Sequence, residues 1–251
     1  MKLRVIDIET TGSGPGAEIV EIGHVDVLVD GGPAHLAPPQ TRLYRPERGV
    51  PPEIIAVHHL TPGMLANEPV CSSAEISAFI LGDGAPDVLV AHNCDFERGF
   101  ISDAHTGGLP WICTYKAALR VWPEAPRHSN QVLRYWRNHD LDPALAMPPH
   151  RAGPDAWVTA HILTDLLAAA GVEDLVRWTQ EPRLLPRIPF GKHRGAAWTD
   201  APADYLQWMV RQNDMDPDTV WNARHELERR AAASQATPAP GHDAEDRRRP
   251  G

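Results

Sequence analysis

Met1-Lys2-Leu3-Arg4-Val5-Ile6-Asp7-Ile8-Glu9-Thr10 is the stretch from which the rest of the chain is read. Leu3, Val5 and Ile6 favour extended backbone, and the run from Leu3 to Ile8 reads as a buried strand. Asp7 and Glu9 are two apart, so on a strand both carboxylates leave the same face. Two carboxylates beside an apolar face repel each other and resist desolvation. Either they end the strand in water, or a cation sits between them, and a divalent metal is the usual cation. Thr10-Thr11-Gly12 then breaks the strand into a turn.

Outward from this strand, residues 18–29 alternate apolar and polar, as in a half-buried strand, and Asp30-Gly31-Gly32 ends them. Thr41 to Tyr44 can return, so the early strands form an antiparallel meander. Pro51-Pro52 opens a short helix, and Thr61 before Pro62 has the pattern of an N-cap with proline at the first helical position. Ser72 or Ser73 caps a helix carrying Ile76, Phe79 and Ile80 on one side. Asp87-Val88-Leu89-Val90-Ala91 reads as a central buried strand. Helical signals follow at 95–104, 115–121, 130–138 and 155–170, the last with Ala156, Ala160, Leu163, Leu166 and Leu167 at helical spacing. Three strands followed by alternating helix and strand give an α/β class with a mixed sheet flanked by helices.

A main domain is expected over residues 1–172, with a boundary at 171–189. Residues 187–230 read as a small C-terminal helical module, built on Phe190-Gly191-Lys192-His193-Arg194-Gly195 and an apolar face of Tyr205, Leu206, Trp208 and Met209. Residues 231–251 have no periodic apolar face and read as a disordered tail.

The 251 residues are 42% hydrophobic and carry a net charge of -9. That balance excludes a protein that holds nucleic acid by bulk positive charge, but metal ions can supply positive charge where phosphate must sit. Three cysteines with no Cys-x-x-Cys argue against a disulfide framework or a zinc site. No signal-peptide pattern or long apolar run is evident, so a soluble, cytoplasmic protein with no membrane partner is expected.

Two further stretches gather polar groups where helices begin. His92-Asn93-Cys94-Asp95-Phe96-Glu97-Arg98-Gly99-Phe100 follows the central strand, where α/β proteins place their sites. Its acids, Asp95 and Glu97, equally suit a first helical turn that complements the helix dipole. His150-Arg151-Ala152-Gly153-Pro154-Asp155 puts a histidine in a loop, free to move as a general base should be, and an acid in the first turn of the long helix. Pro154 suits that helix's first position.

In this order, Asp-x-Glu-Thr-Thr-Gly, His-Asn-x-x-Phe-acid and His-x-x-x-x-Asp resemble the DEDDh branch of the DnaQ-like 3′–5′ exonucleases, whose fold is RNase H-like. The resemblance spans about residues 2–170. It is supported by Glu18-Ile19-Val20-Glu21-Ile22, Val57-His58-His59-Leu60-Thr61 and Trp111-Ile112-Cys113-Thr114. It implies a two-metal mechanism with Mg²⁺ or Mn²⁺, in which Asp7, Glu9 and Asp155 hold one ion and Asp7 and Glu97 the other. His150 would take the proton from the attacking water. The second motif departs from the family, which has Asp directly after the Phe. Phe96 and Phe100 match that position to Glu97, and Asp95 serves instead if the turn is rotated.

The same resemblance implies that Thr10 and Thr11 meet the terminal nucleotide through backbone and hydroxyl groups. His58 either stacks near the terminal base or packs beside a helix, and Asn93 either braces the turn or touches substrate. Lys192, His193 and Arg194 either bind nucleic-acid backbone or form an exposed basic turn. The expected substrate is DNA, at single-stranded 3′ ends, in repair or end trimming. The motifs do not choose the sugar, so an exoribonuclease is the alternative. A nucleic-acid-binding module of weak activity is the alternative from another class.

Overall fold

The computed structural model describes residues 1–82 and 84–236. The chain divides into two compact units between Arg183 and Leu184. The first unit opens with strands β1 (Lys2–Thr10), β2 (Ile19–Leu28), β3 (His35–Leu36) and β4 (Gln40–Leu43). Helices α1 (Pro52–His58), α2 (Pro62–Leu65) and α3 (Ser73–Leu81) lead to β5 (Val88–Ala91). Helices α4 (Asp95–Phe100) and α5 (Asp103–Thr106) precede β6 (Trp111–Cys113). Then come α6 (Thr114–Val121), α7 (Asn130–Trp136), α8 (Pro143–Ala146), α9 (Ala152–Ala169) and α10 (Val172–Gln180).

The sheet order is β3-β2-β1-β5-β6, with β4 also paired to β2. β1 runs antiparallel to β2 and parallel to β5, and β5 runs parallel to β6. Leu3 and Val5 share one core with Val25, Val90, Ile112 and the α9 residues Ala156 and Leu163. Ile6 and Ile8 share the other with Ile22, Leu89 and the α3 residues Ile76 and Ile80. Period two therefore places Asp7 and Glu9 on the α9 side, at the end of β1 where the apolar run stops. On the opposite face Arg4 is fully buried, its guanidinium fork on Asp26 at 2.6 and 2.8 Å and on the Ile80 carbonyl at 2.6 Å. It ties the β1–β2 pair to the last turn of α3.

Several expectations change. Glu21 and Gly23 in β2 are buried rather than facing water, because α9 packs across them. The helix expected at 95–104 is two helices, since the Ser102 side chain and backbone pair with His105 in a new N-terminal box. The long helix begins at Ala152, so Pro154 is third in it; a proline there removes an N–H that has no intrahelical partner anyway. The first unit continues past residue 172 through α10, whose Leu175 is buried and whose Thr179 hydroxyl accepts the Cys113 N–H at 2.7 Å.

The described part of the second unit contains two 3₁₀ turns, at Gly191–His193 and Trp198–Asp200, then α11 (Ala203–Val210) and α12 (Pro217–Ala236). Ile188, Trp198, Leu206, Met209 and Ala223 form its small core. α12 runs to Ala236, into the expected tail, because the alanines from Ala231 propagate a helix already formed. The rest of that tail, 237–251, lies outside the described residues. Among the described residues no helix is long and apolar enough to cross a membrane.

Candidate active site

β1 presents Asp7 and Glu9 beside β2, in register with Gly23 and Glu21. Gly23 leaves no room for a side chain, because the backbone of Ala152 and Gly153 occupies that space. This close approach lets the first turn of α9 lie over the end of β1. Glu21 closes the junction: its carboxylate takes Arg151 Nε and Nη2 at 2.9 and 2.8 Å and the Ala152 N–H at 3.0 Å. Glu9 and Glu21 are like charges directly opposite each other, an arrangement that Arg151 compensates. The register shifts between Glu9 and Thr10, a bulge at the rim of the site.

Asp155 enters from α9. Its Oδ1 accepts from Gln131 Nε2 at 3.0 Å and its Oδ2 accepts the His150 backbone N–H at 2.8 Å. His150 takes a left-handed conformation, φ 59, which turns the chain so that its exposed side chain joins the acids. Ligating atoms of Glu9, His150 and Asp155 all lie within 4.8 Å of one another.

α4 contributes Glu97. Asn93, at φ 68, turns the chain after β5, and its carbonyl accepts the Phe96 N–H at 3.0 Å. His92 braces this turn against Thr114 Oγ1 at 3.0 Å and the His128 carbonyl at 2.8 Å. Glu97 is then 3% exposed and its Oε2 has no hydrogen-bond partner. Asp95 points away, its side chain 61% exposed and 3.9 Å from Lys116 Nζ.

The electrostatics of these acids are linked. Burial raises the Asp7 carboxyl well above the usual carboxylate range, and the charges of Asp155, Glu9, Glu97 and Glu21 raise it further. Burial, then the charges of Asp155 and Glu21, push Glu9 up to about 8. Glu97 is also pushed up to about 8, mainly by burial. Asp155 is raised by burial, against the pull of its two hydrogen bonds. Such a set of mutually repelling carboxyl groups with an orphaned buried oxygen fits a hard divalent cation, which prefers oxygen donors.

The remaining expected residues lie in and beside the turns around these acids. Thr10 Oγ1 donates to the Gly12 carbonyl at 2.7 Å, and Thr11 Oγ1 accepts the Glu18 N–H at 2.9 Å, so both hydroxyls hold the turn. His58 is 1% exposed and offers no open face to a base. Its Nδ1 accepts the Leu60 N–H at 2.9 Å, which puts the ring proton on Nε2. Asn93 is exposed and serves the turn through its backbone. Sequence reasoning missed the bracing groups Glu21, Arg151 and Gln131. A charged Glu21 between Val20 and Ile22 was the available signal for the first pair; Gln131 had none.

The family model described as Exonuclease (RNase_T) matches residues 5–163. The chain is 35% identical over 234 residues to exodeoxyribonuclease 10 of Escherichia coli K12, covering 90% of this chain and 99% of that one. It is 31% identical over 171 residues to the DNA polymerase III subunit epsilon of Treponema pallidum, covering 64% and 74%. Among solved structures, exonuclease X in complex with 5′ overhanging duplex DNA matches with a TM-score of 0.57 and 33% identity, covering 70% of this chain and 99% of that one. The nuclease domain of 3′hExo, a DEDDh family member bound to rAMP, shares the fold with a TM-score of 0.52 at 14% identity, covering 67% and 92%. With its sheet and these likenesses, the chain belongs to the exonuclease family and is an exonuclease hydrolase with the RNase H-like fold.

Proposed function

We propose that this exonuclease removes nucleotides from the 3′ end of DNA, at single-stranded termini, and releases nucleoside 5′-monophosphates. Asp7, Glu9 and Asp155 would hold one Mg²⁺ or Mn²⁺, and Asp7 with Glu97 a second. Bound there, the two ions would offset the charge of the scissile phosphate and of the attacking and leaving oxygens. His150 accepts the proton of the attacking water, since imidazole is the side chain suited to proton exchange near neutral pH.

The observation that carries this reading is the convergence of Glu9, His150 and Asp155 within 4.8 Å, with the charges of Asp7 and Glu97 linked to the same acids. Gln131 and the His150 N–H fix both oxygens of Asp155, so its carboxylate meets a cation without reorienting. Glu97 rather than Asp95 fills the second-motif role because it is buried with one carboxylate oxygen left without a partner, whereas Asp95 is exposed. DNA is favoured by the E. coli relative, named an exodeoxyribonuclease, and by the DNA-bound solved structure. An open cleft of about 550 Å³ beside Thr11 and Gly12, bordered by the exposed Arg48, gives a strand an approach.

Matched DNA and RNA oligonucleotides labelled at either end test the proposal. With Mg²⁺, a 3′ label on DNA should leave first as a mononucleotide, and chelation should stop the release. Loss of a 5′ label first would overturn the polarity. Preferential digestion of RNA would overturn the substrate.

A further inference from the structure

The second unit carries an aromatic and basic surface built on its own 3₁₀ turn and α11. Gly191 has φ 69 and lies against the Tyr205 hydroxyl, where a side chain would not fit. The basic turn is thereby seated on α11. Lys192 Nζ lies 5.4 Å from the Tyr205 ring centroid, and the His193 ring meets Tyr205 edge-on at 4.6 Å. Trp208 stacks on the same tyrosine at 5.5 Å with an interplanar angle of 25°. Leu206 and Met209 of that helix are buried, but Trp208 is 45% exposed. Beside it lies a cavity of about 590 Å³, lined by Phe190, Trp208, Gln212 and Met215. Arg194 is exposed one residue beyond His193.

Charge separates the two units. Residues 1–183 hold 23 acidic and 14 basic side chains, and residues 184–236 hold seven of each. The first unit therefore repels a polyanion except where cations are bound, whereas the second does not. Asp214 and Asp216 border the cavity, but Asp216 Oδ2 is engaged by the Thr219 N–H and hydroxyl, each at 2.9 Å, at the start of α12.

We propose that this face is a second nucleic-acid site, on which a single strand stacks a base against Trp208 and sets phosphates against Lys192 and Arg194. An exposed aromatic ring, here Trp208 backed by the half-buried Tyr205, with cations nearby is a common device for holding single strands without reading their sequence. The choice of a nucleic acid over a protein partner rests on the exonuclease reading above. Joined to the hydrolytic unit through the chain, the site raises the local concentration of substrate.

Fluorescence anisotropy of a labelled oligothymidylate with the full chain tests this. EDTA keeps the hydrolytic acids unneutralised, so that binding reports other sites. Trp208→Ala should weaken binding about tenfold. Lys192→Ala with Arg194→Ala should weaken it and flatten the log–log salt dependence by roughly one. All three side chains are at the surface, and unchanged far-ultraviolet circular dichroism would report intact folds. Wild-type affinity in both variants would overturn the inference, leave the face to a protein partner and not touch the hydrolytic reading. Weakened variants beside a wild type that releases no mononucleotide with Mg²⁺ would support this site and overturn the hydrolytic reading instead.

Discussion

Asp95 and Glu97 lie two positions apart on α4 and face opposite environments. Asp95 lies at the surface, 3.9 Å from Lys116 Nζ, while Glu97 turns inward, where burial raises its proton affinity. Glu97→Ala should therefore lower kcat at least about 100-fold, and Asp95→Ala should change it only a few-fold. Single-turnover rates on labelled DNA would check this, and the reverse pattern would move the ligand to Asp95. The acids also bear on stability. The folded-state value of Glu9, about 8, lies above its ordinary 4.5. Its favourable contribution is thus complete below 4.5 and lost as pH rises through about 8. Without divalent ions the protein should melt lower at pH 8 than at pH 5. Glu9→Gln should raise the metal-free Tm at pH 8 by about 2–4 °C while abolishing activity. Calorimetry showing a lower Tm for that variant would contradict the account. By the same linkage, Mn²⁺ binding near neutral pH should release protons, seen as a buffer-dependent binding enthalpy.

At the scale of elements, the site depends on how α9 is seated on β2. Arg151→Ala would leave Glu21 buried without its cation and free the first turn of α9. It should cost about 3 kcal/mol in urea unfolding and lower activity through Asp155 and His150. A loss under about 0.5 kcal/mol would show that the pair is not what seats the helix. Locally encoded features were legible in the sequence: β1 and β5 as apolar runs, the Thr61 and Ser72 caps, and two carboxylates sharing one face. The start of α9 was not, because the group that receives its Ala152 N–H is Glu21, 131 positions earlier. The same separation hid the burial of Glu21 and Gly23, which alternation alone assigned to a half-solvated strand. Thr10, Thr11 and His58 were expected as substrate contacts from the order of the motifs. Their hydrogen bonds, which hold the turn rather than meet solvent, were visible only in three dimensions.

At the scale of the whole molecule, the net charge of -9 falls on the hydrolytic unit, and the second unit is balanced. On the proposals made above, cations draw the polyanionic substrate to so acidic a unit: the metal ions at its acids and the basic turn of the second unit. The likeness to the E. coli exodeoxyribonuclease runs through 90% of this chain, so both units belong to the account of function. The proposed hydrolysis rests on acids from β1, α4 and α9 sharing cations in one pocket. Anomalous diffraction from crystals soaked in Mn²⁺ and a nucleoside 5′-monophosphate tests this most directly. Two manganese peaks are expected, one contacted by Asp7, Glu9 and Asp155 and one by Asp7 and Glu97. A pocket with no peak, or with ions bound to other side chains, would contradict it.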